Sequence, residues 1–77
     1  MNVRVFLRTP LHRGRVVAPR KYELDDTVVE VVGEAEARDG GLDIQVSALY
    51  NDKGVLVEPP WPHIFLPGSK IDVYVIE

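Results

Sequence analysis

Cysteine is absent from this chain, which excludes disulfide frameworks, thiolate zinc sites and cysteine nucleophiles. Methionine occurs once, at Met1, and side-chain amides occur only at Asn2, Gln45 and Asn51. Scarce thermolabile residues, together with six prolines in or near expected loops, suggest a thermophilic source. No apolar run approaches the roughly 20 residues of a membrane-spanning helix. Met1 to Pro10 lack the apolar centre of a secretory signal, so the cytoplasm is the expected address and no membrane partner is expected. The phosphate-cradling patterns G-x-G-x-x-G and G-x-x-x-x-G-K are missing, as is an acidic calcium loop with its distal Glu. No cofactor and no metal site are expected.

What is present is 77 residues, enough for one domain and one core. The apolar fraction is 45% and the charged fraction 27%, which suits a globular protein rather than a disordered one. Charge is unevenly distributed along the chain. Residues 1–21 carry six bases and no acid (+6), whereas residues 22–77 carry twelve acids and three bases (−9), summing to −3. Such a dipolar chain either pairs its halves internally or shows a basic face to a partner.

Apolar positions alternate with polar ones in several short runs, the period of a half-buried strand. Val3, Val5 and Leu7 alternate with Arg4, Phe6 and Arg8. Thr9 to Gly14 reads as a turn, and Arg15 to Ala18 as a second strand ended by Pro19, the two strands forming a hairpin. Leu42, Ile44, Val46 and Ala48 make the clearest strand. Asn51 to Gly54 is a turn suited to a positive φ at Gly54, and Val55 to Val57 resume the ladder. Ile71, Val73 and Val75 make the last strand. Residues 24–41 admit two readings. As a helix capped by Asp25 or Asp26, the segment buries Val28, Val31, Val32 and Ala35. As a strand it alternates Val29, Val31, Ala35 and Ala37 with charged residues, ending in an Asp39-Gly40-Gly41 turn. The expected fold is therefore mainly β: a single small antiparallel barrel of five to six strands, SH3/Sm-like, with or without one short helix in residues 25–37.

The layout resembles the Sm-like small β-barrels. Val3 to Ala18 is similar to their opening hairpin, with Gly14 where the second strand begins, and Leu42 to Tyr50 to their central strand. Leu66-Pro67-Gly68-Ser69-Lys70-Ile71-Asp72-Val73 resembles their closing motif, with Gly68 and Ile71 at matching spacing. The resemblance implies the barrel and edge-to-edge assembly into rings. It does not extend to the family's RNA pocket, because Pro67 stands where the family carries an Arg before the closing Gly.

Two segments are candidate sites. Arg4, Phe6 and Arg8 share one strand face, and Arg13 and Arg15 could join it from the partner strand; arginines around an aromatic can grip phosphates and stack a base. The structural alternative is a solvated face neutralised by acids such as Asp72. The second segment, Pro59 to Pro67, holds four of the six prolines and the only Trp. With Val55 and Val57 it offers Trp61 and Phe65 as a partner interface; the alternative is a lid with both aromatics packed inward. His12 and His63 lack any fixed nucleophile or carboxylate at a recognisable spacing, so no catalytic residue and no enzyme are expected. Glu30, Glu34, Glu36, Asp39 and Asp43 read as a solvated acidic face. The leading functional reading is a non-catalytic binding or assembly module that self-associates or takes a protein partner. The alternative is RNA or single-stranded nucleic-acid binding through the basic hairpin.

Overall fold

The computed structural model describes the backbone of residues 1–77 and every side chain except those of Arg15, Leu24 and Asp25. Five strands, β1 (Asn2–Ala18), β2 (Lys21–Arg38), β3 (Gly41–Asn51), β4 (His63–Pro67) and β5 (Ile71–Ile76), form one antiparallel sheet in the order β4-β3-β2-β1-β5. A single 3-10 turn, Gly68–Lys70, joins β4 to β5, the two edge strands. There is no α-helix among the described residues, and no helix long and apolar enough to cross a membrane.

The opening hairpin differs from its expected form. Val3 to Leu7 do not pair with Arg15 to Ala18; both lie on β1, which pairs along its length with β2. The reason is visible at Thr9-Pro10. Phe6 pairs with Glu30 and Leu11 with Val28, so four residues of β1 (7–10) oppose only Val29 of β2. Pro10 has no N–H to offer a ladder, and a bulge is where that lack is tolerated. The turn-forming residues therefore bend a strand instead of reversing it. The chain reverses at Pro19-Arg20, with Arg20 in the left-handed region (φ 63°). The other expected turns stand: Gly40 and Gly54 both have positive φ, at 85° and 76°.

The helix alternative for residues 25–37 is corrected, because that segment lies within β2. Yet Val28, Val31 and Ala35 are buried, three of the four residues the helical spacing selects. Val29 bulges between the pairs Val28–Asn51 and Glu30–Tyr50, shifting the inward phase by one residue. Two period-2 runs out of phase thus imitate a helical stripe. The same device operates in β3. Val32 pairs with Ala48 and Gly33 with Val46, leaving Ser47 extra, its hydroxyl donating to the Val32 carbonyl at 3.1 Å. Past this bulge Leu49 turns inward in place of Ala48.

The core consists of Val3, Val5, Val28, Val31, Ala35, Leu42, Ile44, Leu49, Val57 and Leu66. Gly33 is required within it: a Cβ there would stand 2.2 Å from the Gln45 carbonyl oxygen. The expected strand at Val55–Val57 reduces to one bridge, Tyr50–Leu56, and the Val57 N–H donating to the Leu49 carbonyl at 2.8 Å.

Leu49→Ala removes a fully buried side chain and is expected to cost about 2–5 kcal/mol in urea unfolding. A cost of less than about 0.5 kcal/mol, typical of a surface position, would overturn the phase shift at Ser47.

Candidate functional site

The basic strand face is assembled only in part. Arg4 stands on the outer face, because its neighbours Val3 and Val5 point into the core. There its guanidinium hydrogen-bonds to Glu30, approaches Glu77 at 3.4 Å and lies 6.0 Å from the centre of the Tyr50 ring. The hydrogen bond to Glu30 raises the pKa of Arg4 further above its ordinary value, holding it charged. Phe6 lies on the same face, exposed, and Arg8 is exposed within the bulge. Arg13 is nine residues further along the same strand and is turned away from Arg4's site. It donates to the carbonyls of Glu58 (2.9 Å) and Pro59 and stands 3.5 Å from Asp26, tying β1–β2 to the Pro-rich loop. Arg15 lies on β1 opposite Glu23, and its side chain is outside the described residues. Among the described residues, the acids that meet the basic strand are Glu30, Glu77 and Asp26, where the sequence suggested Asp72.

The Pro-rich segment forms one wall of a groove. After Pro62, whose carbonyl accepts the Val46 N–H at 3.0 Å, β4 lies along β3 with Leu42 opposite Leu66 and Ile44 opposite Ile64. That register turns Ile64 and Leu66 toward the core and leaves Phe65 and His63 on the outside. Trp61 is half-buried and packs against the core, as a lid residue does. Between Trp61 and β4 runs a groove of about 380 Å³ whose lining includes Leu11, Trp61, Ile64, Leu66 and Lys70. Phe65 is 49% exposed and Val55 57% exposed, whereas Val57 is 2% exposed and belongs to the core, with no surface for a partner.

A pair that sequence spacing did not show lies at the outer side of β4. His63 Nε2 hydrogen-bonds to the Asp43 carboxylate, and Arg38 Nε approaches the same carboxylate at 3.4 Å. Twenty residues separate the histidine from the aspartate. Only the β3–β4 register, Asp43 opposite Phe65 and Gln45 opposite His63, makes them diagonal neighbours. The hydrogen bond from His63, followed by the charges of His63 and Arg38, pulls the Asp43 pKa below its ordinary value. Arg38, Asp43 and His63 border a hollow with Ile64 and Phe65, a lining without a hydroxyl group. The other acids are dispersed: Glu34 meets the N-terminal ammonium at 2.5 Å and Glu36 meets Arg38 at 2.9 Å.

The exposed edge is β5. Arg4 is opposite Val75 and Phe6 opposite Val73, so these four residues share the outer face. Tyr74 and Ile76 lie on the other face, opposite Val5 and Val3, yet both are exposed because the core does not extend past β1. Comparison with known proteins gave no match to a family model, to a curated protein or to a solved structure.

The depressed pKa of Asp43 makes the pair pH-dependent. A lowered carboxyl pKa contributes stability that is present above the ordinary aspartate value of 3.8 and is lost as pH falls through the folded value. Asp43→Asn is therefore expected to be less stable than the parent at neutral pH and equal to it at about pH 2. An equal difference at both pH values, read by urea unfolding, would show that ionised Asp43 contributes nothing.

Proposed function

We propose that this chain is a small, non-catalytic, cytoplasmic assembly module whose sheet curls into an SH3/Sm-like barrel and joins a second copy through β5. The observation that carries this reading is the difference between the two edges of the sheet. At one end, β4 is five residues long and ends at Pro67, which offers no N–H to an incoming strand. At the other end, β5 is six residues long, has no proline and no lysine, and carries a single charge at Asp72. Its neighbour on one side is β1, and on the other side it has none. Val73, Tyr74, Val75 and Ile76 are 39–64% exposed, spread over both faces.

An apolar strand edge of this kind is a template for pairing, and proteins that keep such an edge exposed normally use it. Antiparallel pairing of β5 with β5 of another copy gives a two-fold contact in which one patch meets itself. Phe6, Val73 and Val75 would then continue across the joint as one apolar strip. A small domain gains from this, because its own core buries too small a share of its surface. Of the two apolar segments that could supply a pairing edge, 55–57 and 71–75, the burial of Val57 favours 71–75.

The nucleic-acid reading draws support from the basic composition of residues 1–21. Against it, Arg4 and Arg13 are already held by acids and carbonyls of the same chain.

Sedimentation as a function of concentration tests the assembly. The parent is expected to associate in the micromolar range, and Val75→Lys to shift it to single copies while changing the unfolding free energy of the monomer by less than about 0.5 kcal/mol. A single-copy mass for the parent at hundreds of micromolar would overturn the reading. Salt-sensitive retention of the parent on a polyanion column would favour nucleic acid instead.

A further inference from the structure

We propose that the groove between Trp61 and β4 is a binding site for a small apolar carboxylate, a free acid with a hydrocarbon body, held by the ammonium group of Lys70. The site is separate from the β5 edge and does not depend on assembly. Three features of the groove lead to this class of ligand.

The first is its size and chemistry. At about 380 Å³ it falls at the lower end of the range of small-molecule sites. Leu11, Trp61, Ile64 and Leu66 supply apolar walls, which favour a hydrocarbon body over a sugar or a nucleotide.

The second is charge. His63 and Lys70 are the basic residues of the lining, and His63 is held by Asp43. Lys70 is half-buried, and among the described residues no carboxylate lies within 4.0 Å of its ammonium. Arg4, Arg13, Lys21 and Arg38 have an acid within that distance, and Arg8, Arg20 and Lys53, which among the described residues do not, are exposed where Lys70 is half-buried. In a chain with twelve acids and a net charge of −3, a half-buried lysine without one beside an apolar groove is a ready partner for an anion. Its backbone is held in place as well, because the 3-10 turn it ends is fastened by the Gly68 N–H to the Gly40 carbonyl at 2.8 Å.

The third feature separates a free acid from a peptide. An extended peptide laid along β4 would need outward backbone donors along that edge, and Pro67 offers none at one end of it. A ligand held by side chains alone has no such need.

Trp61, the only tryptophan, lines the groove and reports on its occupation. The experiment titrates the protein with octanoate, octylammonium and octanol, followed by Trp61 fluorescence and by amide shifts of residues 61–71. Octanoate is expected to saturate, with octanol weaker and octylammonium weakest. Lys70→Gln should weaken octanoate about fivefold to tenfold without altering octanol, the scale of one exposed charge-assisted contact. Lys70→Arg should restore octanoate binding. The same affinity is expected for Val75→Lys, so loss of assembly and loss of the ligand site are read separately. Equal binding of octanoate and octylammonium, an unchanged octanoate affinity in Lys70→Gln, or no saturable change at all would each overturn the proposal. So would displacement of octanoate by a short peptide with a free C-terminal carboxylate at much lower concentration.

Discussion

The pairing of β1 with β2 supports the rest of the molecule, because both strands sit at the centre of the sheet and each has a second partner. Val3 and Val5 from β1 meet Val28, Val31 and Ala35 from β2 in one core, and β3 and β5 then add on either side. Strands of 17 and 18 residues are long for a domain of this size. Left regular, they would extend well past any core that 77 residues can build. The bulge at residues 7–10 of β1, facing Val29, gives them a bend, and the bend lets both ends of β2 serve different neighbours.

The same pairing disposes of the charge asymmetry. The basic first third of the chain becomes β1, and its position between β2 and β5 sets Arg4 against Glu30 and Glu77 and Arg13 against Asp26. Individually such exposed or half-exposed pairs contribute little, about 0–1 kcal/mol each. Their collective effect is on register and on what is left over. Arg4 and Arg13, two of the cations that could have gripped a polyanion, are occupied within the chain, while Lys70, beside apolar walls, has no acid within 4.0 Å among the described residues.

The two edges of the sheet carry opposite chemistry for a related reason. β4 is short, ends at Pro67 and borders a groove that it shares with Trp61, which packs on the core. β5 lies past the limit of the core, so its inward residues are as exposed as its outward ones. A larger core would have buried Tyr74 and Ile76, and the edge would have shown one apolar face instead of two. The groove and the open edge are thus separate consequences of how little core so short a chain can form.

The sequence by itself determined the strand composition, the turns at Gly40 and Gly54, the break at Pro19, and the inward residues Val3, Val5, Leu42 and Ile44, since period-2 alternation and positive-φ glycines are local properties. Tertiary structure alone decided the rest. A bulge adds one residue to a strand and reverses every inward assignment beyond it, which is why Leu49 replaced Ala48 and why β2 imitated a helix. Thr9-Pro10 looked like a reversal because a proline records only that its N–H is absent; whether the chain turns or bulges there depends on which strand arrives opposite. Asp43 and His63 are twenty residues apart, and no spacing rule joins them until β3 and β4 take their register. Lys70 likewise acquired its meaning from Trp61 and Leu11, neighbours that only the folded chain supplies.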